Sequence, residues 1–182
     1  MLKVKKESRE VLYCKNNFIT LNKNNLKKLL FLAKKNKKKI IRLCTHNSRK
    51  DKVHQMFIVH PKNYFVVPHM HIQGESMSIL KGIVDVVIFN KKGKISKIIE
   101  MGEPSSNKVF YYKLPKKIIH TFIIKSNVLV FYEVTEGPFK KQNMAYPKWA
   151  PNNKQEVKKF QKQIKSEVLK FKKNDQRSKK DK

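Results

Sequence analysis

The chain has 182 residues, of which 40% are hydrophobic and 10% aromatic, and it carries a formal net charge of +30 at pH 7. That length is enough for one sizeable core, and the apolar content excludes wholesale disorder. Because no apolar run is long enough to span a bilayer and the N-terminal segment lacks the apolar core of a secretory signal, we expect a cytoplasmic protein without a transmembrane segment.

Residues 1–38 are predicted to form an N-terminal extension that contains one helix. Apolar residues recur at intervals of three and four over residues 25–35, and this spacing predicts an amphipathic helix that lies against the outside of the main domain. Asparagine is a favoured N-cap residue, and three asparagines precede or begin the helix. The candidate caps are Asn22, Asn24 and Asn25.

Residues 39–46 alternate in a way that predicts a strand. Arg42, Cys44 and His46 would then share one face, while apolar residues occupy the other. A polar face of this composition is unusual for a strand. Two interpretations remain open: a functional face directed into a cavity, or a solvated strand end at the rim of the domain.

The next ninety residues contain eight further strand candidates, rich in β-branched and aromatic residues and separated by turn residues. Gly82 and Gly93 mark two of the turns, the second in a left-handed conformation. Eight strands are the number that a double-sheet jelly roll needs. We assign residues 39–151 to this β-domain. The predicted strands are 55–59, 64–71, 76–80, 83–89, 95–100, 108–113, 119–124 and 129–134.

Residues 152–182 are predicted to form a basic C-terminal helix and tail. Just before them, Trp149 is expected to pack a loop onto the β-domain. From residue 155 the apolar positions step by three and four, which predicts an amphipathic helix. We expect its apolar stripe to dock on the same chain or a sister subunit, with attachment to a membrane surface as the alternative. Residues 174–182 are predicted to be a solvated tail.

The positive charge comes almost entirely from lysine, since arginine occurs only at Arg9, Arg42, Arg49 and Arg177. Lysine can attract nucleic acid at low salt, but arginine is favoured for forked contacts to phosphates and bases. Lysine, asparagine and isoleucine are abundant together, as an AT-rich coding sequence would produce. We therefore expect no specific nucleic-acid partner, and weak attraction of anionic partners as the alternative.

Three histidines and a glutamate have the spacing of a metal site. His69 and His71 lie two residues apart, so on a strand both rings would face the same side. A loop at Gly74 could return Glu75 toward them, and His120 could approach from another strand. Three imidazoles and one carboxylate suit Fe, Mn, Zn, Ni or Cu, and spacing cannot choose among these divalent transition metals. The competing interpretation is that these are ordinary core or surface histidines.

These residues resemble the first conserved motif of the cupin superfamily. That motif is histidine-x-histidine, three residues, glutamate and then six residues to a glycine, and it is met by His69, His71, Glu75 and Gly82.

The second cupin motif is met only in part. Pro115 and His120 match its proline and histidine, whereas Lys117 stands where the motif has glycine and Ile124 where it has asparagine. Since only glycine adopts a positive φ without cost, Lys117 is expected to alter the turn that precedes His120.

Further segments between residues 39 and 151 make the chain similar to the WbuC family of cupin-fold metalloproteins. This resemblance implies an all-β fold, a small cupin (double-stranded β-helix, jelly-roll) barrel with flanking N-terminal and C-terminal helices. It also implies a metal held by His69, His71, Glu75 and His120. WbuC proteins are associated with lipopolysaccharide O-antigen biosynthesis, and their reaction is not established. The segments that carry the resemblance are 42–46, 51–56, 68–71, Glu75, Gly82, 120–121, 136–139 and 149–151.

Two classes of function follow. The first is a metal-dependent enzyme, an isomerase or epimerase or else an oxygenase, acting on a saccharide or nucleotide sugar. His46 is then the candidate base and Arg42 the candidate clamp for a phosphate or carboxylate, with Tyr112 a weaker candidate proton donor. The second is a non-catalytic sensor or accessory protein that binds a saccharide-like ligand. A metal-free epimerase is a further possible function. A homodimer is a possible assembly of the chain.

Overall fold

The computed structural model describes residues 2–180, which form a mainly β fold with two α-helices. The strands are β1 (Val4–Lys6), β2 (Val11–Cys14), β3 (Ile41–Cys44), β4 (Val53–Pro61), β5 (Met70–His71), β6 (Glu75–Lys81), β7 (Ile83–Phe89), β8 (Ile95–Gly102), β9 (Tyr111–Leu114), β10 (Ile119–Ile124), β11 (Val128–Glu136) and β12 (Met144–Ala145). The helices are α1 (Lys23–Lys35) and α2 (Lys154–Lys180), and short 3-10 turns cover Pro104–Ser106 and Lys141–Asn143.

The strands form two larger sheets that face each other. Seven strands pair in the order β1-β2-β3-β4-β11-β6-β9, three pair as β10-β7-β8, and β12 pairs with β5. Alternate side chains of both larger sheets point into one apolar core, where Phe131 and Ile79 meet Val84 and Phe122. Such burial is the main favourable contribution to folding, at about 25 cal/mol per Å² of apolar surface. The metal-site residues lie at one end of this core.

The predicted closed jelly-roll barrel is not confirmed, since no sheet within residues 2–180 closes on itself. Residues 64–71 were expected to pair as a full strand, but only β5 does so. Pro68 in this segment lacks an N–H group and cannot donate to a ladder, which limits pairing there. One isolated bridge, between His69 and His120, joins the segment to the three-stranded sheet.

The predicted strands at 83–89 and 119–124 coincide with β7 and β10. The N-terminal strands β1 and β2 were not predicted. β2 pairs in parallel with β3, so the N-terminal residues extend the seven-stranded sheet.

Helix α1 covers the outer face of the seven-stranded sheet, as the apolar spacing predicts. Asn22 caps it by accepting hydrogen bonds from the backbone N–H groups of Asn24 and Asn25 at 3.0 and 3.2 Å. Leu29 and Ala33 are buried in an apolar cluster with residues of β3, β4 and β11.

Helix α2 covers the outer face of the three-stranded sheet, so its apolar stripe docks on its own chain. Ile164 and Val168 are buried against Val87 and Phe89. Trp149 packs against Phe89 with ring centroids 5.1 Å apart, as predicted for the loop before the helix. The helix continues through residue 174 to Lys180, where a tail was expected, and residues 181–182 lie outside the described range. Neither helix of the described chain is long and apolar enough to cross a membrane.

Three turns have positive φ angles at positions that the sequence marks. Gly82 has φ +94° and Gly93 has φ +81°, in agreement with the predicted turns. Lys117, which stands in the place of a motif glycine, also has φ +62°. The turn before His120 therefore keeps the left-handed conformation at the cost of backbone strain in a non-glycine residue.

Candidate metal centre and adjoining cavity

Short backbone contacts bring His69, His71, Glu75 and His120 together. His69 and His120 exchange two backbone hydrogen bonds, with N–H···O distances of 3.1 and 2.9 Å. His71 ends β5, and its carbonyl accepts a hydrogen bond from the N–H of Lys117 at 2.7 Å. Glu75 begins β6, which places the carboxylate at the edge of the core after the turn at Gly74.

The donor atoms of this cluster lie at distances that suit one metal ion. The His69 and His71 Nε2 atoms are 3.1 Å apart, and the Glu75 oxygens lie 3.1 Å from His71 Nε2 and 3.2 Å from His120 Nε2. One ring nitrogen from each histidine lies within 4.8 Å of the others. Ligands bound at about 2.1 Å and at right angles would be about 3.0 Å apart, so these three contacts have the length of octahedral edges. The three imidazoles therefore form a cluster that could hold a metal ion.

Hydrogen bonds behind the cluster fix which ring nitrogen faces inward. His69 Nδ1 lies 2.8 Å from the Val67 carbonyl oxygen, and His120 Nδ1 lies 3.1 Å from that of Ile118. A carbonyl oxygen only accepts, so each Nδ1 donates a hydrogen bond outward and each Nε2 is the ring nitrogen that faces the cluster. Outer hydrogen bonds of this kind accompany metal-binding histidines and hold their rings in place.

Burial and mutual charge set the protonation of the cluster. Burial would raise the pKa of Glu75, but hydrogen bonds from His120 and His71 outweigh it and hold that pKa well below its usual value. Burial lowers the pKa of His69 to about 4, so its ring is neutral at pH 7. For His120, the hydrogen bond and charge of Glu75 outweigh burial and raise the pKa. A charged carboxylate and a neutral imidazole are the forms in which these groups bind metals.

Tyr112 supports Glu75 and does not line the cavity described below. Its hydroxyl donates a hydrogen bond to Glu75 Oε1 at 2.7 Å. Burial and the Glu75 charge raise the pKa of Tyr112 well above its usual value, so the phenol stays protonated as a donor. The structure thus gives Tyr112 a partner other than a substrate.

A cavity of about 300 Å³ adjoins the cluster at His71. The three residues predicted to share a strand face, Arg42, Cys44 and His46, all line it, although only the first two belong to β3. The cavity therefore brings the predicted base and the predicted anion clamp into the same space as one of the cluster imidazoles. Its remaining polar lining is His54, Arg49, Gln73, Glu133, Thr135, Glu136, Lys140 and Asn143.

His46 is held rigidly in the cavity wall. Its Nδ1 lies 3.1 Å from both the N–H nitrogen and the carbonyl oxygen of Gln55, and its ring stacks on that of His54 at 4.2 Å. Burial lowers the pKa of His46, so the imidazole is neutral at pH 7 and can accept a proton.

Cys44 is a poor nucleophile in this environment. Burial raises the pKa of its thiol to about 11, although the nearby guanidinium groups of Arg42 and Arg49 act in the opposite direction. The thiolate, which is the reactive form, is therefore scarce at pH 7.

Glu133 is a cavity residue that the sequence reasoning missed. It lies on β11 and pairs with Met56 of β4 and Met77 of β6, both of which are buried. Burial, and then the charge of Glu75, raise the pKa of Glu133. The signal was present in the sequence, since Leu129, Phe131 and Glu133 alternate along one predicted strand, and an acid among apolar residues on an inward face is unusual.

Comparisons with known proteins identify a fold resemblance and no established function. A family model described as a domain of unknown function (DUF6016) matches residues 21–101, fewer than half of the chain. No curated protein matches the sequence.

Solved structures with a similar fold include three from different sources. A mutant of the oxalate decarboxylase OxdC from Bacillus subtilis is 18% identical over 53% of this chain and 24% of its own, with a TM-score of 0.44. Protein SO0799 from Shewanella oneidensis is 8% identical over 56% of this chain and 66% of its own, with a TM-score of 0.47. Procruciferin, an 11S globulin from Brassica napus, is 13% identical over 69% of this chain and 25% of its own, with a TM-score of 0.41.

The first two of these neighbours are cupin-fold proteins. The chain spans about a quarter of the length of the oxalate decarboxylase. At these scores and identities the likeness says nothing about ligand or activity, and membership of the WbuC family is not confirmed.

Proposed function

We propose that this protein binds one divalent transition metal ion through His69, His71, His120 and Glu75. The observation that carries the proposal is the set of 3.1–3.2 Å contacts among their donor atoms. The backbone acceptors behind His69 and His120 add to it, because they turn the Nε2 atom of each ring inward before any ion binds.

We propose further that the cavity beside His71 binds a saccharide-like molecule and that the protein acts on it as an isomerase or epimerase. The metal ion, when bound, would act as a Lewis acid toward an oxygen of the ligand. His46 has a neutral imidazole in the cavity wall and is the candidate base. Glu133, whose pKa is raised by burial and by the Glu75 charge, is the candidate general acid.

Arg42 would contact the ligand from β3, with a guanidinium that stays charged at all relevant pH values. The suggested place in lipopolysaccharide O-antigen biosynthesis is supported by the WbuC-like segments alone. It requires the ligand to be a sugar of the kind found in that polymer.

Elemental analysis of the purified protein tests the metal. We expect about one transition metal ion per chain in the wild type and a large loss in His71→Ala. His60→Gln is a matched control, because His60 is buried outside the cluster and contacts Tyr64 and Phe131 instead. Equal metal content in all three proteins, or no metal in the wild type after reconstitution, would refute the proposed centre.

Proton exchange tests the reaction. Metal-loaded protein incubated with sugars and nucleotide sugars in deuterated water should incorporate deuterium at a carbon, and His46→Gln should abolish this while retaining the metal. Binding without exchange would make the protein a non-catalytic ligand-binding protein, and the isomerase proposal would then be withdrawn.

A further inference from the structure

The cavity is lined by the solvent-exposed guanidinium of Arg42, whose charge acts on Glu133 and Cys44. The side chain of Arg42 makes no hydrogen bond and no ion pair with any of residues 2–180. An arginine at a cavity wall presents five donors in a planar fork that matches phosphate and carboxylate oxygens. Unsatisfied donors of this kind are available for a ligand.

A second donor in the same cavity is both buried and unpaired. His54 is 5% exposed, and its Nε2 has no hydrogen-bond partner within the described chain. Buried polar atoms are nearly always paired, so this nitrogen, on a residue that lines the cavity, has capacity for one further hydrogen bond. Because His54 stacks on His46 at 4.2 Å, its ring cannot easily turn away to find another partner.

The fixed charges around the cavity also favour an anion. Arg42, Arg49 and Lys140 line it, against the two acids Glu133 and Glu136.

Two of these charged residues, Arg49 and Glu136, form ion pairs that are exposed and weak. Arg49 contacts Glu7 at 3.5 Å, and Glu136 contacts Lys116 at 3.7 Å, all with side chains 41% to 65% exposed. Exposed pairs of this kind contribute little to stability, so a ligand anion can displace Glu7 from Arg49 at little cost.

We infer that the cavity takes a small molecule bearing a phosphate or carboxylate group, and that Arg42, Arg49 and His54 bind this oxyanion. The inference rests on the proposed function for the other end of the ligand, which would face the metal centre at His71. The volume of about 300 Å³ lies at the lower end of the range for ligand pockets. A single sugar phosphate or sugar acid fits this size, and the nucleoside part of a nucleotide sugar would lie outside the cavity.

Calorimetric titration of the full chain with three probes tests the inference. Glucose 1-phosphate carries a phosphate, glucuronate carries a carboxylate, and glucose carries neither. We expect one or both charged probes to bind at least tenfold more tightly than glucose. Arg42→Met should weaken that binding about tenfold or more, since it removes the charged hydrogen bonds to the oxyanion.

Arg177→Met is the matched control, because it removes one guanidinium from α2 at an exposed position outside the cavity. Its affinity for the charged probes should stay close to that of the wild type. Equal losses in both variants would assign the binding to general positive charge and overturn the inference. Equal affinity for glucose and the charged probes, or no binding of any probe at millimolar concentration, would also overturn it.

The same titrations on His71→Ala separate this inference from the proposed metal centre. The oxyanion site lies on the β3 side of the cavity, so a variant without metal should still prefer a charged probe to glucose. Wild-type protein that takes up no metal but keeps this preference would refute the metal proposal alone. Wild-type protein that takes up metal but lacks the preference would refute the oxyanion site alone.

Discussion

Glu75→Gln tests the proposed ligand set with the least change in shape. The amide can still accept the hydrogen bond from Tyr112, which is 2.7 Å long in the wild type. It loses the negative charge that faces His71 and His120 at 3.1 and 3.2 Å and would face the metal ion. Because Glu75 is 6% exposed, water cannot easily replace the lost carboxylate.

The expected loss of metal affinity in Glu75→Gln follows from the effect of smaller changes around metal ligands. Removing a hydrogen-bond partner of a metal ligand typically costs about 10- to 100-fold in affinity. Replacing a charged ligand by a neutral amide should cost more, so we expect the metal dissociation constant to rise at least about 100-fold, or about 2.7 kcal/mol. Competition with a chromophoric chelator at pH 7 measures this constant directly.

Glu133→Gln is the matched control, since it makes the same chemical change at a neighbouring acid outside the ligand set. Its metal affinity should remain near the wild-type value. If Glu75→Gln binds metal within about threefold of the wild type, a difference of about 0.7 kcal/mol, Glu75 is not a ligand.

Two further predictions concern stability. Lys172→Met should lower the free energy of unfolding by about 1–3 kcal/mol at pH 7, because Lys172 donates to Asp85, which is 1% exposed. Lys172 also holds the pKa of Glu100 below its usual value. The ionised Glu100 therefore adds to the free energy of unfolding above its unfolded pKa of about 4.3, and this stabilisation is lost as the pH falls through its folded pKa. The wild-type advantage should therefore shrink below about pH 4 in urea unfolding, whereas Lys173→Met should change little at either pH. Lys117→Gly should raise the melting temperature, because a non-glycine residue at φ +62° costs about 1–3 kcal/mol.

Each of the two stability predictions has an outcome that contradicts it. A Lys172→Met protein as stable as Lys173→Met at pH 7 would show that the ion pair with Asp85 contributes nothing. A lower melting temperature for Lys117→Gly would show that the turn before His120 depends on the lysine side chain more than on relief of backbone strain.

The grouping of the cluster residues was predictable because it depends on local periodicity. Two histidines two residues apart must face the same way on an extended segment, and a glycine before Glu75 permits the reversal that brings it back. The partial second motif correctly indicated His120 as the distant member. Lys117 shows the limit of motif reasoning, since its side chain differs from the motif while its backbone keeps the motif's conformation.

Features that depend on pairing between distant strands could not be predicted. Glu133 reaches the cavity because β11 lies between β4 and β6 in a register that sets it beside Met56 and Met77. The position of His54 likewise depends on how the loop after β3 brings β4 back beside β3, which stacks His54 on His46. The open sheets were missed because strand count alone does not determine closure, which requires unbroken pairing around the whole circuit.

Anomalous X-ray diffraction from crystals of the protein reconstituted with Mn²⁺ or Zn²⁺ tests the central claim most directly. The account predicts one strong anomalous peak at about 2.0–2.2 Å from Nε2 of His69, His71 and His120 and from a carboxylate oxygen of Glu75. A peak bound by other residues, or no peak among these four side chains at full metal loading, would contradict it.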